Sequence, residues 1–155
     1  DRWRAEGHVF DGTRHLVGDY QNGNIYKLDE DAFTDDGQPI FRRRRAPHLA
    51  ADGRELFCGG AQLDMEAGVG PSPPLLDGLG HPRAPIVMLH ISKDGGHTWG
   101  SERWTSAGKI GEYKRRAMFR RLGRARDWIF EITITDPFKA TLISWLPEFE
   151  AARTA

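Results

Sequence analysis

The segment WIFEITITDP (residues 128–137) sets apolar and polar side chains in strict alternation. Trp128, Phe130, Ile132 and Ile134 fall on one face, and Glu131, Thr133 and Thr135 on the other, the two-residue period of a β-strand packed on one side. IVMLHI (residues 86–91) is almost continuously apolar, and a strand is expected over residues 86–92. Shorter strands are expected over residues 16–20 and 25–28, joined by Asn22 and Gly23, whose pair supplies a positive-φ hairpin turn. Further strands are expected over 40–45, ended by Pro47, and over 54–68, where Gly59 and Gly60 mark a bulge or a close backbone approach. Residues 102–105, 114–122 and 139–146 complete the set, and only 147–155 leaves room for a helical turn. Residues 30–40 read as a loop around an Asp36-Gly37 turn, and 68–85, rich in proline and glycine, as a long surface loop. The 18 glycines and 9 prolines are spread along the whole length, the punctuation of short strands. The pattern predicts a single all-β, mostly antiparallel domain over residues 1–155.

Composition narrows this picture. A chain of 155 residues, 39% hydrophobic and 28% charged, suits one soluble domain with a modest core. Its 22 basic and 22 acidic side chains cancel, so any electrostatic partner must be read from local clusters. The single cysteine, Cys58, excludes an intramolecular disulfide and a multi-cysteine zinc site, and a buried structural thiol is expected. Six histidines (His8, His15, His48, His81, His90, His97) show no HxxxH or HExxH spacing, so neither a metal nor a cofactor is expected. No apolar run approaches the ~20 residues that span a bilayer. The chain begins without methionine, and the expectation is that it is the C-terminal part of a longer protein.

Candidate chemistry centres on SKDGGHTW (residues 92–99). The order Ser92-x-Asp94-x-Gly96-x-Thr98-Trp99 resembles the Asp box, a hairpin turn of sialidases and other β-propellers. Asp94 is placed to accept hydrogen bonds from nearby backbone amides, while Gly95 and Gly96 tolerate positive φ. Ser92 and Thr98 are expected to bond across the turn, and Trp99 to cover it. The role implied is architectural. At about 40–50 residues per blade, the chain holds about three propeller-type blades' worth, too few to close alone. It is therefore expected to belong to a larger propeller or ring assembly.

Two basic clusters are candidate interface or DNA-channel residues. Arg42, Arg43, Arg44 and Arg45 form one; in a strand Arg42 and Arg44 share a face and Arg43 and Arg45 the other, with Asp35, Asp36 or Asp52 as carboxylate partners. Lys114, Arg115, Arg116, Arg120, Arg121, Arg124 and Arg126 form the second, with Glu112, Asp127 and Glu131 nearby for cross-strand ion pairs.

Longer blocks carry a resemblance. NGNIYKLDED, FTDDGQPIFRRR, QLDMEAGVG, ISKDGGHTWGSERW and GKIGEYKRRAMFRRLGRARDWIFEITITDP, in that order over about residues 18–146, resemble the C-terminal part of one family. That family is the packaged-DNA stabilisation, or tail hub/nozzle, proteins of P22-like short-tailed bacteriophages. The resemblance implies a β-propeller-containing structural protein of the virion, located in the phage tail and assembled in the host cytoplasm. It implies a homo-oligomeric ring, a hexamer, below the portal and its adaptor or head-completion protein. This ring would seal the exit channel, carry a tailspike or tail fibre and a tail needle or plug, and let double-stranded DNA pass without sequence preference. It implies no enzyme. Two rivals come from the residues: a carbohydrate- or receptor-binding module using Trp99, Trp104 or Trp145, and a sialidase-like glycosidase using Tyr20, Tyr26 or Tyr113.

Overall fold

Short strands with one apolar face must pair and then bury that face against another sheet. The computed structural model describes residues 4–66, 71, 73–109, 111–112 and 115–151, and among these every regular element is a strand. In chain order they are β1 (Ala5–Phe10), β2 (His15–Asp19), β3 (Ile25–Leu28), β4 (Thr34–Asp35), β5 (Gln38–Pro39), β6 (Arg42–Arg45), β7 (Leu49–Ala50) and β8 (Leu56–Met65). There follow β9 (Leu75–Leu76), β10 (Pro82–Arg83), β11 (Ile86–Ser92), β12 (Arg103–Ser106), β13 (Ala117–Ala125), β14 (Asp127–Ile134) and β15 (Leu142–Ala151).

Two larger sheets share one core. The first runs β12-β11-β14-β6, with β7 also pairing β14; the second runs β13-β8-β15. Leu89 lies opposite Ile132 and Ile91 opposite Phe130, so their shared face points inward. Cys58, Ala61, Leu63 and Met65 of β8 and Ala117, Phe119, Leu122 and Ala125 of β13 meet it from the second sheet. An aromatic cluster bridges the layers: Phe130 and Trp145 have ring centroids 5.2 Å apart, and Trp128 and Phe149 5.8 Å. Trp128 and Phe130 are almost wholly buried.

This is a β-sandwich, and the expectation of about three propeller-type blades is corrected. A blade is a four-stranded antiparallel sheet. Here β13 and β14 are consecutive yet lie in different sheets, while β14 pairs with β6, more than eighty residues earlier. The room left for a helical turn over 147–155 is corrected for residues 147–151, where β15 continues as a strand through Pro147 to Ala151; residues 152–155 lie outside the described residues. β15 is the edge of its sheet, where a residue without an N–H is tolerated. Within the 68–85 loop, β9 and β10 pair as a small hairpin; residues 67–70 and 72 lie outside the described residues.

Turn chemistry sets the connections. Asp36 and Gly37 (φ 48° and 76°) form a two-residue hairpin between β4 and β5. Asp52 and Gly53 (φ 46° and 74°) do the same where Arg54 donates its amide to Ala51 at 2.7 Å. At the first hairpin only Gly23 takes positive φ (70°), because β2 and β3 are joined by a wider loop. Asn22 contributes through its side chain, which accepts the Asn24 amide at 2.8 Å and donates to the Tyr26 hydroxyl at 2.9 Å. The sheet β1-β2-β3 contributes no residue to the sandwich core cluster.

Candidate interaction surface

The connection from β11 to β12 folds on Asp94. Ser92 Oγ donates to Asp94 Oδ1 at 2.7 Å and accepts the Gly96 amide at 2.8 Å. Thr98 gives Asp94 both its amide (2.9 Å, to Oδ1) and its hydroxyl (2.6 Å, to Oδ2). These Thr98 bonds, with that from Ser92, hold the Asp94 carboxyl far below the usual carboxylate range. Ser92 and Thr98 meet through Asp94 instead of bonding each other directly. Gly95 and Gly96 take φ values of 71° and 95°. A Cβ on Gly95 would lie 2.9 Å from Asp127 Oδ2, and Asp127 is itself held by His48 Nδ1 at 2.9 Å. The turn is thus seated against the start of β14.

From there a polar chain crosses the outer face of the first sheet. Trp99 is half-buried beneath Arg45, whose guanidinium stands 4.6 Å from the ring centroid. Arg45 donates to Glu131 Oε2 (2.5 and 3.0 Å), and Arg43 lies 3.4 Å from Glu131 Oε1. His90 stands 4.0 Å from Glu131 and 3.5 Å from Glu102. Glu102 in turn accepts the indole N–H of Trp104, which is 67% exposed. Glu131 is 5% exposed although its side chain faces away from the core, because these neighbours cover it.

Strand alternation splits β6. Arg43 and Arg45 share the outer face with Glu131, whereas Arg44 and Arg42 lie opposite Ile132 and Ile134 on the inner side. Arg42 donates to the carbonyls of Phe138 (2.5 Å) and Asp136, over the Phe138 ring. Burial lowers its pKa, against the pull of Asp136. The partners are therefore Glu131 and two carbonyls, a correction to the choice of Asp35, Asp36 or Asp52. Those acids were near in sequence, but register with β14 decides the pairing. Asp136 is held by Arg83 at 2.7 and 2.8 Å and by the Ile86 amide at 2.8 Å. Burial pushes its carboxyl up, but these partners outweigh it and leave the pKa lowered.

The second basic cluster sits on β13 and its flanks. Two residues of β13, Arg121 and Leu122, oppose the single Gly59 of β8 between the pairs Arg120↔Gly60 and Gly123↔Cys58. In this bulge Arg121 takes φ 58° and Gly123 φ 96°. Strict alternation would turn Arg121 inward and Leu122 outward; the extra residue reverses both. Arg115, Arg116, Arg120, Arg121, Arg124 and Arg126 are all exposed, and Lys114 lies outside the described residues. The expected cross-strand pairs are corrected: Asp127 is held by His48, Glu131 by Arg43 and Arg45, and Glu112 by the Lys109 amide at 2.9 Å. Arg103 closes this side of the sandwich by donating to the carbonyls of Arg120 and Arg121.

Other candidates are placed apart. Cys58 is buried, its thiol pushed up to about 11 by burial. The Tyr26 hydroxyl donates to Asp36 at 3.1 Å on β3, and Tyr113 lies outside the described residues. No group of three or more histidine, cysteine, aspartate or glutamate side chains suited to a metal ion occurs among the described residues. No helix there is long and apolar enough to cross a membrane. Sequence reading missed His48, Glu102, Arg83 and Asp136 as partners; for the last two, opposite charges 53 residues apart gave no local signal.

Fold and surface together define an antiparallel β-sandwich whose polar side chains are spent largely on holding strands and turns. Residues 42–145, from the first residue of β6 into β15, match the family model described as Bacteriophage P22 Gp10, beta-sandwich. The chain belongs to that family, a family of P22-like phage tail proteins and thus of virion structural proteins. A search of curated proteins returns no match.

Proposed function

We propose that this chain is the sandwich part of a tail hub or nozzle. It assembles with copies of itself into a ring, a hexamer, below the portal and adaptor. There it extends and seals the DNA exit channel and carries the tailspike or fibre and the needle. The observation that carries the reading is the family match, which spans both sheets of the sandwich. The seated Asp94 turn and the bridging aromatics support a rigid building part. Blades of a larger propeller, if the ring contains them, lie beyond this sandwich.

DNA passes such a channel without being held. The exposed arginines of β13 meet neighbouring subunits or graze phosphates, and tight phosphate binding there would hinder sliding. Catalysis has no part in the proposal, and a fluorogenic sialoside is expected to remain intact. The reading is tested by electron microscopy of portal–adaptor complexes incubated with the purified protein. New ring-shaped density at the distal end of the adaptor is expected, and complexes that stay bare would refute the hub assignment.

A further inference from the structure

An exposed tryptophan on a sheet face is the unusual feature of this surface. Of the tryptophans considered as binding residues, Trp145 packs into the core and Trp99 lies under Arg45, leaving Trp104 open. Trp104 begins a transverse row across four strands, Trp104–Met88–Thr133–Arg43, each side chain opposite the next. Beside it runs the row His90–Glu131–Arg45. Glu102 ties the indole N–H, which fixes the ring and leaves its faces free for contact.

We propose that this face binds a saccharide, with one pyranose ring stacked on Trp104. A pyranose presents an apolar C–H face to an aromatic ring and a rim of hydroxyls that both donate and accept. The rim would meet groups with hydrogen-bonding capacity to spare. Arg43 is 3.4 Å from Glu131 and more than half exposed, and His90 stands 3.5 and 4.0 Å from its two carboxylates. These separations exceed a normal hydrogen bond, so hydroxyls can share the groups without breaking a tight pair. Thr133, in the same row, is 5% exposed with its hydroxyl enclosed, so the polar contacts fall to Arg43 and His90. A peptide adding as a strand needs the free backbone groups of a sheet edge, which a sheet face does not offer. The proposal needs no ring and stands apart from the hub reading.

The test uses the full chain on an array of bacterial surface oligosaccharides, followed by titration of any hit by intrinsic tryptophan fluorescence. Binding of at least one saccharide is expected. Trp104→Ala should weaken it about tenfold or more with the thermal midpoint unchanged, Trp104→Phe should retain part of it, and Leu146→Ala, on the second sheet, all of it. An array on which the wild type binds nothing overturns the proposal, as does a hit that Trp104→Ala binds equally well. Loss of self-assembly in Trp104→Ala without any saccharide binding by the wild type would make the face a protein interface instead.

Discussion

Gly95 carries no side chain because the turn has no room for one. With φ at 71° and Asp127 Oδ2 2.9 Å from where a Cβ would stand, Gly95→Ala meets both backbone strain and a clash. The strain alone is worth about 1–2 kcal/mol, and a urea midpoint equal to the parent's would contradict the geometry. Asp94 acts through charge. Its folded pKa is depressed, so its stabilisation is present above the unfolded value near 4 and is lost as pH falls through the folded value. Asp94→Ala should therefore lower the thermal midpoint at pH 7, and the gap from wild type should narrow as pH falls below about 4. The bonds among Ser92, Asp94, Gly96 and Thr98 join near neighbours and so lie within reach of a sequence reading. The seat of the turn does not, since His48 and Asp127 arrive from distant strands. Cys58, buried and with a raised pKa, should resist a thiol reagent at pH 7 until the chain is unfolded; rapid labelling of the native protein would show the core to be open.

Strands with a strong period were readable, and those that depend on a partner were not. β11 and β14 follow from alternation or an unbroken apolar run, and residues 86–92 were bounded correctly. Gly59 and Gly60 also spoke plainly: β8 shifts register against β15 between Gly60 and Cys58, and Gly60 packs against the Phe119 carbonyl. The bulge in β13 gave no comparable sign, because Arg121 adopts its left-handed φ only with β8 alongside. β10 is pinned by Arg83 to Asp136, at the end of β14. Arg83→Ala strands a mostly buried carboxylate and should cost on the order of 2 kcal/mol, less than a fully buried pair because Arg83 reaches solvent. Calorimetry that registers no change would remove this pin from the account.

At the scale of the molecule, composition and period were enough for an all-β chain, but not for its layering. Whether strands close into blades or face one another as a sandwich depends on pairings such as β14 with β6, which leave no periodic trace in either segment. Net charge was silent as well: a formal zero conceals arginines neutralised by Glu131 and others left exposed along β13. The central claim is that this sandwich is a building part that works in multiple copies. Mass photometry of the purified protein, alone and with portal–adaptor complexes, tests it most directly. Closed rotational symmetry requires each complex to gain one fixed number of chains, and the proposed hexamer makes that number about six. A protein that stays a single chain at every concentration, and adds no mass to the complexes, would contradict it.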